Sequence, residues 1–300
     1  MPNESQNFAW TPDKGYSSPT SSLNLGGRIV SCQRPLVMGI LNVTDNSFYP
    51  GSRTPSPDAI RSRVEQIVAE GGDIVDVGAC STRPGSTPPT VDQELERLRM
   101  AISIVRELKP DLPISVDTYR ASVADRLLEE FAVEMVNDVS AGEMDPEMFD
   151  VVAKWRVPYV LTHIQGTPLD MQTKPHYDDV VAELIDFFSE RVERLTALGL
   201  CDLIVDPGFG FGKTIDHNYT LLKNLAAFRI LGCPILAGLS RKSMLYRLLD
   251  ISPDEALHAT QTVDTIALLN GADILRVHDV LPAVQAVRIH EVYRRQANFR

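Results

Sequence analysis

Three hundred residues suffice for one large barrel or two ordinary domains, and a chain 44% hydrophobic and 23% charged has the makeup of a folded soluble protein rather than a disordered one. A formal net charge of −11 argues against a nucleic-acid or anionic-membrane surface, although an acidic chain can still gather positive charge in one cleft. No apolar run approaches the roughly 20 residues that cross a bilayer, and the opening MPNESQNFAW lacks the basic start and apolar stretch of a secretory signal. The four cysteines (Cys32, Cys80, Cys201, Cys233) form no CxxC pair, so the expectation is a cytoplasmic protein with reduced thiols.

Residues 1–21, rich in Pro, Ser, Thr and Asn, read as a loosely ordered arm, and 22–300 as the folded domain. Ser22 to Arg34 carries two short runs around Gly26-Gly27, the pattern of a β-hairpin that could close one end of a domain. From Pro35 onward, short apolar runs alternate with amphipathic stretches. The runs are LVMGIL (36–41), DIVDVG (73–78), ISVDT (114–118), EMVND (134–138), PYVLTH (158–163), DLIVDP (202–207), PILAGL (234–239) and DILRVH (273–278), each patterned as a buried parallel strand. Helical spacing appears over Ala59–Ala69 and Val181–Leu198, with Gly71-Gly72, Gly199 and Gly271 where C-terminal caps belong. Eight strands alternating with helices favour a (β/α)8 TIM barrel preceded by a hairpin. A doubly wound sheet is the runner-up, and its GxGxxG fingerprint is missing after the first strand.

Catalytic groups of a barrel sit at the C-terminal strand ends. Here those ends carry Asn42, Thr82 with Arg83, Asp117, Asn137, His163, Asp206, Ser240 with Lys242, and Arg276 with His278. At any single strand a helix cap or turn explains the polar residue equally well. Asp117 and Asn137 weaken that reading, because each ends a core run where burial without a partner costs free energy. Two carboxylates and an Asn at one mouth suit a ligand with adjacent N–H groups, and the basic residues suit a leaving phosphate or pyrophosphate. Arg53 is read equally well as a solvated charge. PGFGFGKT (207–214) is one residue out of register for a Walker A loop, and its glycines more simply let a ligand approach the backbone.

MGILNVTDNSF (38–48), DIVDVGACSTRPG (73–85), SVDT (115–118), NDVSAG (137–142), THIQGTP (162–168), DPGFGFGK (206–213), GLSRKSM (238–244) and RVHDV (276–280) together resemble, in order, the signatures of the pterin-binding family, specifically its dihydropteroate synthases. That resemblance implies condensation of a dihydropterin pyrophosphate with p-aminobenzoate, with Mg2+ as cofactor and a homodimer formed through helices late in the barrel. It implies that Asp117, Asn137, Asp206 and Lys242 hydrogen-bond the pterin, with Arg276 against its ring, and that Asp117, Asp206, Lys242 and Arg276 carry the chemistry. Asn42 is expected to hold the magnesium–pyrophosphate, with Arg276 and His278 as anion contacts. Thr82, Arg83, Pro84, Phe211, Gly238 and Ser240 are expected to build the p-aminobenzoate pocket, which sulfonamides would target, with Phe48 closing over it. Two departures stand out: Asp45-Asn46 replaces the family's Pro-Asp, and Ala79-Cys80 its Gly-Glu. A methyltetrahydrofolate-binding methyltransferase domain and a catalytically silent pterin-binding protein are the alternatives.

Overall fold

The computed structural model describes residues 22–44, 56–80, 88–167, 171 and 175–296, so the expected arm over 1–21 lies outside it. Ser22–Leu25 (β1) and Arg28–Ser31 (β2) form the antiparallel hairpin, with Gly26 and Gly27 both at positive φ in its turn. Each of the eight apolar runs then forms a parallel strand: Leu36–Asn42 (β3), Ile74–Gly78 (β4), Ile114–Asp117 (β5), Met135–Asp138 (β6), Tyr159–Thr162 (β7), Leu203–Asp206 (β8), Leu236–Ala237 (β9) and Ile274–Val277 (β10).

The connecting helices are Pro57–Glu70 (α1), Val91–Leu108 (α2), Ala121–Phe131 (α3), Met148–Trp155 (α4), Val180–Ala197 (α5), Ile215–Lys223 (α6), Ser243–Leu249 (α7), Leu257–Leu269 (α8) and Val280–Arg294 (α9). Gly71 and Gly199 follow α1 and α5 at φ of 89° and 86°, a left-handed conformation that any Cβ would strain. The strands run in the order β8-β7-β6-β5-β4-β3-β10-β9, and a parallel bridge between Val205 and Ile235 joins the two ends into a ring. The structure is thus the (β/α)8 barrel, and the doubly wound alternative is set aside.

Strand side chains alternate between two cores. One set, including Val37, Val75, Val116, Val136, Leu161, Val205 and Leu275, packs outward against the helices. The other set, including Met38, Ile74, Met135, Val160, Ile204, Leu236 and Ile274, fills the barrel floor together with Leu23, Leu25 and Cys32 of the hairpin segment. The hairpin therefore plugs the N-terminal end and leaves the opposite mouth for ligands.

Candidate active site

Moving two residues along each strand from the apolar floor keeps the same inward face and reaches the next layer. From Ile74 that step gives Asp76; from Met135, Asn137; from Ile204, Asp206; from Leu236, Gly238; and from Ile274, Arg276. Ser115 leads in the same way to Asp117. A period of two thus stacks a polar layer directly upon an apolar one.

At its centre lies Arg276. Its Nε donates to Asp76 Oδ2 and its Nη2 to Asp117 Oδ2, both at 2.6 Å, while Asn137 Nδ2 donates to the same Asp76 oxygen at 3.2 Å. Burial alone would lower the Arg276 pKa, but the Asp76 and Asp117 carboxylates overcome it and hold the guanidinium charged. Asp117 is pushed up to about 7, chiefly by burial, with Arg276 pulling the other way and Asp76 adding to the rise. Asp76 is fully buried, and its Oδ1 meets no hydrogen-bond partner among the described residues. This residue escaped the sequence reading because it lies inside DIVDVG rather than at its end; the period-two step is the signal that reveals it.

Asp206, only 6% exposed, accepts from the Gly208 amide at 2.8 Å. Burial raises its pKa, opposed by that amide and by Lys242, Arg276 and Lys213. Gly238 belongs beside it, since a Cβ there would stand 3.7 Å from Asp206 Oδ2 and take up space before the carboxylate. Lys242 extends over Phe211, with Nζ 3.9 Å from the ring centroid, a cation–π contact. Burial lowers its pKa to about 8 against the attraction of Asp206.

The backbone that delivers Lys242 is strained. Arg241 sits at φ 54°, held there by its amide bond to Thr260 Oγ1 (3.0 Å) and by its guanidinium pairing with both Asp279 oxygens (2.9 and 3.0 Å). Ser240 Oγ receives the His278 backbone N–H at 3.1 Å and lies 3.0 Å from its Nδ1. Burial and the neighbouring Arg276 hold the His278 ring neutral, with a pKa near 4. Asn42 ends β3, and a Cβ on Gly78 would lie 3.5 Å from its Oδ1 and 3.2 Å from Asp117 Cβ, so the bare Gly78 backbone separates these two groups.

Asn42, Asp117, Asn137, Asp206, Phe211, Gly238, Ser240, Lys242, Arg276 and His278 thus gather at the C-terminal mouth. Phe48, Thr82, Arg83 and Pro84 lie outside the described residues, as do Asp45, Asn46 and Arg53. Cys80, which replaces the family acid, packs against the buried Glu94; burial first, then that carboxylate, raises its thiol pKa well above the usual range. Glu94 itself accepts from Thr118 Oγ1 at 2.7 Å and from Arg120. The PGFGFGKT segment is no Walker A loop: the Lys213 ammonium turns inward onto His163 Nδ1 (2.9 Å), His163 O (3.3 Å) and Phe211 O (3.0 Å).

Comparison with known proteins agrees with this geometry. The Escherichia coli protein named dihydropteroate synthase is 39% identical over 268 residues, spanning 88% of this chain and 94% of its own length. A Yersinia pestis dihydropteroate synthase solved with a sulfonamide drug complex superposes with a TM-score of 0.87 at 35% identity, covering 92% of this chain and all of that one. The Xanthomonas albilineans dihydropteroate synthase solved with 4-aminobenzoic acid gives 0.84 at 38% identity, covering 93% and 100%. With the family profile described as pterin binding enzyme matching residues 38–278, the chain belongs to the pterin-binding enzymes, in their dihydropteroate synthase branch.

Proposed function

We propose that this enzyme condenses 6-hydroxymethyl-7,8-dihydropterin pyrophosphate with p-aminobenzoate to give 7,8-dihydropteroate and pyrophosphate. The observation that carries the reading is the polar layer of Asp117, Asn137, Asp206, Lys242 and Arg276 on a sealed apolar floor. It offers acceptors for the amino and ring N–H groups of a pterin, and cations where a pyrophosphate would depart.

In this reading Asp206 and Asn137 bind the pterin edge, and Arg276 holds Asp117 in place while presenting its own flat face. The amine nitrogen of p-aminobenzoate forms the new bond to the pterin methylene as the carbon–oxygen bond to pyrophosphate breaks, and the amine then gives up a proton. An aniline nitrogen is nucleophilic when neutral, so the site needs charge stabilisation more than a strong base. Lys242 lies between Asp206 and Phe211 and serves both substrates, while Arg276 and the backbone around His278 face the departing anion.

Asn42 supplies one hard amide oxygen, and among the described residues no group of three His, Cys, Asp or Glu is placed to hold a metal. Such a donor fits Mg2+ bound largely through substrate phosphates, where it would neutralise the leaving group. Phe48, Thr82, Arg83 and Pro84, named by the family resemblance, would complete the arylamine pocket.

Leu248 and Leu249 on α7, Ile266 and Leu269 on α8, and Ile289, Val292 and Tyr293 on α9 are exposed apolar side chains on three consecutive helices. This face fits the homodimer contact. Ile289→Glu should shift the sedimenting species from dimer to monomer. No described helix is long and apolar enough to cross a membrane, in keeping with a cytoplasmic enzyme.

Turnover of the pterin pyrophosphate with p-aminobenzoate, followed by dihydropteroate formation, tests the whole reading. Pterin binding without product would point instead to the catalytically silent alternative.

A further inference from the structure

We propose that Lys213 is a positioning residue: its ammonium ties the loop after β8 to the end of β7 and thereby sets Phe211 as a wall of the arylamine pocket. The inference rests on the synthase reading above.

Lys213 is 4% exposed, and its donors meet one ring nitrogen and two backbone carbonyls. Burying an ammonium against neutral acceptors is costly, and a methionine would fill the same space without that cost. What the cation adds is a link between strands of chain 50 residues apart in sequence, because one carbonyl belongs to His163 and the other to Phe211.

The two loops press together with nothing between their backbones. A Cβ on Gly208 would fall 1.9 Å from His163 O, and one on Gly212 2.5 Å from Gln165 O. The buried Tyr177 OH donates to Gly212 O at 2.9 Å in the same seam. Lys213 is the clasp of this joint. Phe211, two residues before it, then carries the ring over which Lys242 lies.

His163 is built to receive the bond. Burial and the adjacent Lys213 hold its ring neutral, with a pKa near 2, and in the tautomer protonated at Nε2 its Nδ1 accepts from Lys213. The ring is wedged edge-on against Phe187, with centroids 4.7 Å apart, so it cannot swing away. Burial also brings the Lys213 pKa down to about 7, against the pull of Asp206.

The test is a double-mutant cycle on the full chain with Lys213→Met and Phe211→Ala, reading the KM for p-aminobenzoate by steady-state kinetics and the pterin Kd by calorimetry. Lys213→Met should raise that KM about tenfold while the pterin Kd moves less than about threefold. The double variant should be no worse than Phe211→Ala alone, because the lysine acts through the ring. Parallel loss of both affinities, or effects that multiply, would overturn the inference while an active parent leaves the synthase reading standing. A parent that makes no dihydropteroate overturns both. Should Lys213→Met fail to fold by circular dichroism, His163→Phe removes one acceptor and keeps both carbonyls. It should raise the same KM about threefold, and an unchanged KM refutes the inference.

Discussion

Replacing Arg276 with Met should damage stability in a pH-dependent way, because its guanidinium bonds both the fully buried Asp76 and the partly buried Asp117. The substitution keeps most of the apolar stem and removes two charged hydrogen bonds of 2.6 Å. Breaking a buried ion pair from one side costs about 3–5 kcal/mol when the partner stays ionised, but nearer 1.5–3 kcal/mol when the partner is a neutral carboxyl bonded to the charged guanidinium. Asp117 decides which regime applies. Its folded pKa, near 7, lies above the ordinary carboxylate range, so between that range and 7 the folded protein holds a proton that the unfolded chain releases. Stability contributed through this group therefore falls as pH rises across that window, and the attraction of Arg276 limits the fall. Without Arg276 the Asp117 pKa climbs further and the loss continues above 7. Urea denaturation of parent and Arg276→Met should thus give a gap that is smallest near pH 5.5 and wider by about 1.4 kcal/mol at pH 8, one pH unit above the parent Asp117 pKa. Asp76→Asn in the same background should recover part of the gap, since the two sites are directly bonded. A gap that is constant with pH, or absent at pH 8, would show that the guanidinium does not carry the polar layer.

Asp206→Asn keeps the shape but removes the charge, and should weaken pterin binding by about 1.5–3 kcal/mol in a calorimetric titration; unchanged affinity would take Asp206 out of the pterin subsite. Lys242→Ala should cut turnover strongly while leaving the melting temperature nearly unchanged, and in the parent the Lys242 charge is lost as pH rises through about 8, so turnover should decline across that range. A flat profile from pH 7 to 9 would argue against a charged Lys242 in the reaction. Gly208→Ala combines a positive φ with a clash against His163 O, and should cost about 1–3 kcal/mol or more of unfolding free energy by denaturant titration.

Much of this architecture was legible because the barrel repeats one local rule. Most strands are apolar runs short enough to end in a turn, and on three of them a polar residue at or next to the end faces the mouth. Asp117, Asn137 and Asp206 could be picked out for that reason alone. Asp76 was missed because its carboxylate interrupts a run instead of ending it, and only the alternation of inward and outward positions distinguishes the two cases. Lys213 was hidden for another reason: its partners lie on the preceding strand end, and sequence spacing carries no information about that contact. The strain at Arg241 likewise depends on Asp279 and Thr260, which are distant in sequence. The assignments of Phe48, Thr82, Arg83 and Pro84 rest on motif resemblance.

The ring of strands is unevenly fastened. β3 and β4 share five paired positions, whereas β9 is two residues long and meets β8 through the bridge of Val205 with Ile235, supported by the Val205 amide bond to Pro234 O at 3.0 Å. Asp206 stands on one side of this joint and Gly238, Ser240 and Lys242 on the other. Local opening there would part the acid from the lysine before the rest of the barrel loosened, so backbone amides along the joint should exchange with deuterated solvent sooner than those of β3 and β4. A pterin that touches both sides acts as a removable staple. Its occupancy should slow exchange at Val205 in proportion to affinity, making that amide a local reporter of ligand binding.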